Sequence, residues 1–525
     1  MQTPGRIPEG IEASSSILAM FEIYGPRYVW FAVCTSMLGS FATLLTATII
    51  NVAIPEVMGA FGIGQDQAQW LSTGFLAAGA VTMLLTSWAI EAFGMRVIFT
   101  FSMLVFLGGS VLGGMAMTPE ILILSRVIQG AAAGILSSLS MVINYQIFPV
   151  RQRGMAMGIF GIGVVLAPAL GPALGGVLID NYSWRYVFFL AVPFALISIP
   201  LSLMFMPRRE GTGPIPDFDW TGVILASLFL LTVLTALSNG QKEGWESEYI
   251  IALFGTAFIT FVLFLWWETY TSHPMLDLAV FGHVRFAAAA VVTIVIGIGL
   301  YGSTFLIPLF LQTLQRISPT DSGLLMLPAG LAMAAVFPLA GALSDRIQPR
   351  IVIIMGLVLF AISSWLMRFV DVNTPYAEML VWAIIGRIGL AFIFPSLNAA
   401  SLAALPLHLL SQGSGVINFL RQLGGAFGVN LLSIFLAERT AVYSYQYTIT
   451  QVSSPPTLEL LQMIQDRIFG QRLDYLLQFD ASFGFLSRTI YSEALTMAFR
   501  EGFIVVAFVM LVSIIPTWFM KLDRS

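Results

Sequence analysis

The chain has 525 residues, of which 58% belong to the AVILMFWYC set and only 10% are charged, and its mean hydropathy is +0.88. Soluble domains run at about 25% charged residues, so a chain this apolar has too little polar surface to stay in water and is read as a membrane protein. The formal charge of −4 singles out no partner, Cys34 is the single cysteine and cannot form an intrachain disulfide, and the three histidines are too scattered for a ligand cluster. Disulfide scaffolds and structural metal sites drop out, and neither a cofactor nor a nucleic-acid partner is expected.

Residues 1–27 carry Arg6, Glu9, Glu12, Glu22 and Arg27 without the basic-then-apolar order of a cleaved signal. They are expected to form a cytoplasmic N-terminal segment, with the first span as an uncleaved insertion signal. Apolar runs of about 20 residues then recur between polar punctuation, which fits spanning helices and not the alternating pattern of a β-barrel. Fourteen are expected, centred near residues 40, 80, 107, 133, 166, 195, 229, 258, 298, 332, 360, 389, 423 and 510. If the N-terminus is cytoplasmic, twelve basic residues, among them Arg96, Arg151, Arg208, Arg285 and Arg350, fall on the inner face or the inner termini, against four in the short outer loops. That bias places both termini in the cytoplasm. Lys242 and Lys521 are the two lysines and neither stands in a Gly-rich GKS or GKT context, so ATP is not the expected energy source.

Two acid-to-arginine loops recur, Glu91 to Arg96 after the second span and Asp345 to Arg350 after the tenth. Each is followed by a hairpin and an arginine inside a span, Arg126 and Arg387, 35 and 42 residues beyond the acid. The repeat implies an all-α membrane protein of two six-helix bundles, residues 28–207 and 285–525, joined by a linker, 208–284, that carries two additional helices. The stretch 438–500, before the last span, is too charged to be a span. Glu459, Asp466, Arg467, Arg472, Asp474, Asp480, Arg488 and Glu493 interleave there with Leu461, Ile464, Ile468, Leu473, Leu476 and Leu477, which predicts amphipathic helices lying over the outer surface, entered at Pro455-Pro456.

Arg126, Arg387 and Arg421 are the charges well inside apolar spans. A buried cation costs about 2.5–3.5 kcal/mol or more unless paired or hydrated, so each either braces helices or serves transport. The fifth span combines small residues with Pro168, Gly171, Pro172, Gly175 and Gly176, a pattern that lets a neighbouring backbone approach closely and allows bending. Carboxylates are missing from the span centres. Glu56 and Asp180 are the outer-side candidates for proton coupling, and both also read as solvated helix-end charges.

These residues resemble the major facilitator superfamily, in particular its fourteen-helix drug/proton antiporters of the EmrB-like inner-membrane type. The likeness runs end to end: Thr48-Ile-Ile-Asn51-Val-Ala-Ile-Pro55, Arg126-Val-Ile-Gln129-Gly130, Pro168 to Gly176, Asp219-Trp220-Thr-Gly222, His273-Pro274-Met-Leu-Asp277 and Arg421-Gln422-Leu-Gly424-Gly425 stand in the family's order. Two places depart. The family's first-span motif usually begins L-D, where this chain has Leu45-Thr46, and the first gate loop keeps only Glu91, Gly94 and Arg96 of its pattern. The second copy, Gly341-Ala-Leu-Ser-Asp345-Arg346, is nearer.

The resemblance implies a proton-driven antiporter that exports lipophilic compounds by alternating access, with Thr46, Asn51, Arg126, Gln129, Arg387, Asn398 and Arg421 as substrate or cavity candidates. Glu91, Arg96, Asp345, Arg346 and Arg350 would form the cytoplasmic gate. A periplasmic adaptor and an outer-membrane channel are the implied partners, besides membrane lipids, and the bacterial inner membrane is the implied location. Three arginines without an embedded acid favour lipophilic weak acids, such as fatty-acid-like molecules, over cations. Uptake of a small metabolite, or a sensor without transport, are the competing readings.

Overall fold

A computed structural model describes residues 11, 13–209, 214–450, 455–465 and 475–521. Among these residues the chain is helical throughout, with no strand. Arg6, Glu9, Glu12, Asp466, Arg467, Ile468, Arg472, Leu473, Asp474 and Arg524 lie outside the described residues, as do the side chains of Leu476, Leu477 and Asp480.

A short helix, α1 (Ser15–Tyr24), precedes the spans and buries Ile17, Met20 and Phe21, with the Phe21 ring edge-on to Tyr28. It was not legible in the sequence, because ten residues with an apolar face look like the approach to the first span. The first bundle follows as α2 (Tyr28–Phe61), α3 (Gln65–Gly114), α4 (Pro119–Gln146), α5 (Arg153–Asn181), the one-turn α6 (Tyr186–Phe189) and α7 (Val192–Phe205). The extra hairpin is α8 (Trp220–Glu243) and α9 (Glu248–Tyr270). The second bundle is α10 (Val284–Thr313), α11 (Pro319–Arg346), α12 (Pro349–Leu366), α13 (Tyr376–Ala403), α14 (Leu410–Thr450) and α16 (Tyr475–Val512), with α15 (Pro455–Ile464) before α16 and α17 (Ile514–Trp518) after it.

Among the described residues twelve helical stretches are long and apolar enough to cross a membrane. One of them, within α3, is two arms that meet at Gly94, whose φ of 80° and ψ of 158° break the helix. A side chain there would lie 2.6 Å from the backbone of Arg209, so glycine is required twice over, by the positive φ and by that close approach. The long α5, of 29 residues, is not one of the twelve, and the expectation of fourteen crossings rests on counting it and the two arms of α3 separately.

The stretch 438–500 departs from expectation. It is not a set of separate helices laid over the surface: α14 continues to Thr450 and α16 already begins at Tyr475, so much of it extends the last two spans. Nothing in the sequence stops α14 before Pro455-Pro456, and the charges at its outer end are accommodated because Arg439 pairs with Glu501 of α16, which also accepts from Tyr443. At 1.5 Å per residue the 43 residues from Leu407 to Ile449 reach about 65 Å, twice the hydrocarbon thickness.

The two bundles are joined chiefly on the face that carries Glu91 and Asp345. There α5 packs on α11 and α14 packs on α3 and α4. A side chain on Gly154 or Gly341 would strike the other's backbone carbonyl, and one on Gly158 would strike the Phe337 carbonyl. Ser414 donates to the Ser138 carbonyl at 2.9 Å and Gln422 to the Leu76 carbonyl at 2.8 Å. Toward the other face Asn51, Pro55, Glu56, Leu174 and Val177 are exposed.

Candidate functional site

The three intramembrane arginines occupy three different environments. Arg126 on α4 is 0% exposed and ties the first bundle together. Its Nε donates to the Leu71 carbonyl at 2.9 Å, its Nη1 to the Thr46 carbonyl at 3.2 Å and to Gln129 Oε1 at 2.9 Å, and the guanidinium lies 4.3 Å over the Phe75 ring. Gln129 in turn donates to Ser110 in the second arm of α3. One side chain thus bridges α2, α4 and the first arm of α3, while its Nη2 has no partner. Thr46, which stands where the family places an acid, is buried and bonds its hydroxyl to the Ala42 carbonyl, so it offers Arg126 a carbonyl and no countercharge.

Arg387 on α13 is 8% exposed and repeats the plan in the second bundle with a single bond, Nη2 to Thr304 Oγ1 on α10 at 2.8 Å. It faces a water-sized void of about 10 Å³ beside Ser303, Ser363 and Ser364. Arg421 on α14 differs from both. It is partly accessible, it stands next to the Gln422 that bonds the other bundle, and its partners are neutral: Asn398 Oδ1 at 3.5 Å, Asn418 Oδ1 and the Phe394 ring at 4.6 Å. Asn398 is 1% exposed and its amide nitrogen has no partner. Of the three, Arg421 is the most accessible, and the donor beside it, the Asn398 amide nitrogen, is left unused. Asn51, by contrast, is exposed and accepts from Ser72 on the adjacent helix at 3.0 Å.

The gate loops are not equivalent. Asp345, at the end of α11, accepts from the Gly154 and Met155 N–H groups at the start of α5, so it caps a helix of the opposite bundle. Arg96 stays within its own half, where its Nε donates to the Met206 carbonyl at 2.7 Å. Glu91 is exposed and lends only its carbonyl, to Arg209. Arg350 stacks 5.0 Å from the Trp518 ring, and Arg346 closes α11 beside Asp345.

The glycines of α5 divide between two seams. Gly154, Gly158 and Gly161 face α11, whereas Gly171 and Gly175 face Thr48 and Ile49 of α2, and Gly176 has open space beside it. The helix runs unbroken through Pro168 and Pro172. Glu56 and Asp180 are exposed near the ends of α2 and α5 away from Glu91 and Asp345 and make no bond among the described residues.

Sequence reading missed Asn418, one turn before Arg421 on the same face, and Tyr301, whose hydroxyl is close enough to Arg421 to feel its charge. A polar residue three positions before an embedded arginine was an available signal for the first. It also missed a cavity of about 580 Å³ on the gate-loop face, where Glu91, Arg208, Arg209, His273, Asp277 and His408 converge from distant parts of the chain.

Two helix bundles joined along a central seam, each with an arginine buried among its helices, are the architecture of a polytopic membrane transporter. The chain belongs to the Major Facilitator Superfamily, whose model matches residues 36–429. It is 30% identical to the multidrug export protein EmrB of Haemophilus influenzae over 486 residues, 92% of this chain and 94% of that one. It is 30% identical to the MFS-type transporter YhcA of Bacillus subtilis over 458 residues, covering 87% and 86%. The lincomycin resistance protein LmrB of Listeria innocua matches at 26% over 78% of this chain and 87% of its own. Among solved structures, the human organic anion transporter MFSD10 superposes with a TM-score of 0.60 at 14% identity, over 94% of this chain and 99% of that one. The proton:xylose symporter XylE does so with 0.58 at 13%, over 93% and 96%. At those identities the structural likeness concerns the fold. The protein is thus a multi-pass membrane transporter, and its family carries out transport, not catalysis.

Proposed function

We propose that the protein is a proton-driven exporter of lipophilic compounds that favours weak acids, working by alternating access in the bacterial inner membrane with both termini in the cytoplasm. The observation that carries the substrate class is Arg421, a partly accessible cation between the bundles whose partners are amide oxygens and an aromatic ring. A lipophilic carboxylate would gain a charge-assisted bond there, with Asn398 as a second donor, and its apolar body would lie against the greasy walls. A lipophilic cation would meet like charge and no acid. One relative is named a multidrug export protein and another, MdtP of Bacillus subtilis, a multidrug transporter, which supports the direction of transport.

In this reading protons enter from outside and are received by Glu56 and Asp180, a reading supported only by their exposure on the face away from Glu91 and Asp345. The long outer extension of α14 and α16, with α15 beside it, serves a periplasmic adaptor and through it an outer-membrane channel. The test is a survival and accumulation panel in a pump-deficient host, comparing lipophilic acids, cations and neutrals, together with counterflow in proteoliposomes. Protection against acids with counterflow of a labelled acid is the expected result. Protection against cationic dyes alone overturns the substrate class, and absent counterflow overturns transport.

A further inference from the structure

The extra hairpin carries a feature that neither bundle uses. Glu268, near the end of α9, is 4% exposed. Its Oε2 accepts from the Leu276 N–H at 3.1 Å, but its Oε1 is buried without a partner. Asp219 caps α8, where its Oδ1 accepts from the Gly222 N–H at 2.8 Å and from Trp267 Nε1 at 2.8 Å, and its Oδ2 is likewise buried without a partner. The two unused oxygens converge on one point. A methyl carbon placed on Gly222 would run into Asp219 Oδ2 and stand 2.8 Å from Glu268 Oε1, so the oxygens face each other within about 5 Å across that glycine.

With the Glu268 carboxyl buried and the half-buried Asp219 carboxyl beside it, ionising both is costly unless a cation lies between them or the pair keeps a proton. The charged groups whose fields reach Glu268 are Asp219 from α8 and Asp277 from the loop after α9, both acidic. The bases nearby are committed elsewhere: Arg96 Nε to the Met206 carbonyl, and Arg209 to the carbonyls of Glu91 and Pro214. Arg208, His273 and His408 line the adjoining cavity without bonding either acid. No cluster of three metal-ligating side chains occurs among the described residues. We infer that the Asp219–Glu268 pair binds a single proton, forming a proton-binding site at the base of the extra hairpin, separate from Arg126, Arg387 and Arg421. This accounts for the Asp219-Trp220-Thr-Gly222 motif: Asp219 is both cap and proton partner, and Gly222 is the residue small enough to let the acids meet.

The bond that ties the α8 cap to the end of α9 then exists while the proton is present. Raising the pH removes it and leaves two like charges in contact, so the hairpin base loosens on the alkaline side.

The test uses the full chain in lipid nanodiscs. Infrared pH-difference spectra of the unaltered protein should show a protonated-carboxyl band that persists at neutral pH, where ordinary carboxylates are ionised, and is lost on alkalinisation. The band should be absent from Glu268→Gln and from Asp219→Asn, either of which supplies an amide donor in place of the proton. Thermal stability should match at neutral pH and fall by several degrees toward alkaline pH in the unaltered protein alone. Asp219→Asn keeps a capping oxygen and stands in should Glu268→Gln fail to fold. A band or pH slope that survives in both variants overturns the inference. So does restoration of alkaline stability by sodium but not by choline, which would mean a metal cation occupies the site.

Discussion

The carboxylate of Asp345, at the end of α11, caps the first turn of α5 in the opposite bundle, accepting from Gly154 N at 2.7 Å and Met155 N at 2.9 Å. The first N–H groups of a helix have no partner within it and carry the positive end of the helix dipole, so a carboxylate suits them. Here that cap joins the two bundles. In the proposed alternating-access cycle the bundles part at this face, so the bond would stabilise the closed state and be given up at each turnover.

Asp345→Asn should weaken this latch while keeping the glycine seam. Loss of a charged cap is worth about 1–2 kcal/mol, a shift of about 5- to 30-fold in the open–closed balance. Turnover should slow more than substrate binding weakens, and spin-label distances between α5 and α11 should broaden. An unchanged transport rate and distance distribution at normal expression would remove the latch role.

The seam beneath the cap gives a second prediction. Gly341→Ala puts a methyl group into the Gly154 carbonyl, and overpacking of this kind costs about 1–3 kcal/mol. Because the clash exists only when α5 and α11 are in contact, the variant should favour the gate-open state, read as faster labelling of an introduced cysteine facing the seam. Gly176→Ala, on the same α5 but facing open space, should leave labelling unchanged.

The arginines separate fold from function. Arg126→Ala removes three hydrogen bonds from a site with no water access, so expression and thermal stability should fall, by about 3 kcal/mol or more. Arg421→Ala leaves a partly accessible site and should fold. Its effect should be a loss of weak-acid export with neutral substrates spared. Equal loss for acids and neutrals would show that Arg421 braces the bundle instead of meeting substrate.

What could be read from the chain follows from the kind of signal each feature leaves. The spans were legible because lipid demands long apolar runs, and the gate acids because they repeat across the halves. The division of roles among the arginines was not, since Arg126 and Arg421 look alike in sequence and differ only in what surrounds them. Asp345 was placed at a gate, but its cap on α5 joins residues 191 positions apart, which no local pattern records. Glu268 falls near the end of an apolar run with nothing in its neighbourhood of the sequence to mark it, and only the hairpin's closure brings it against Asp219. The outer stretch misled because charge density was read as a loop, whereas Arg439 and Glu501 neutralise each other and let the helices run on.

That outer extension carries the last prediction. A transporter that only releases substrate outside the membrane does not need two helices prolonged well past the hydrocarbon layer, with a third, α15, packed on α16 through Leu461 and Ile464. Phe483, Phe485, Tyr445, Ile449 and Met463 are exposed on these segments, and a contiguous apolar surface that extends past the lipid is a surface for a partner. Replacing residues 445–495 with a short Gly/Ser linker should abolish co-purification of an adaptor and resistance in cells, while counterflow in proteoliposomes persists. The linker keeps Arg439 and Glu501, so the pair that ties α14 to α16 remains to hold the bundle closed around its outer end. A variant that still retains its adaptor would refute docking at this extension, and one that loses counterflow as well would show that the segment packs over the bundle mouth as part of the transport machinery itself.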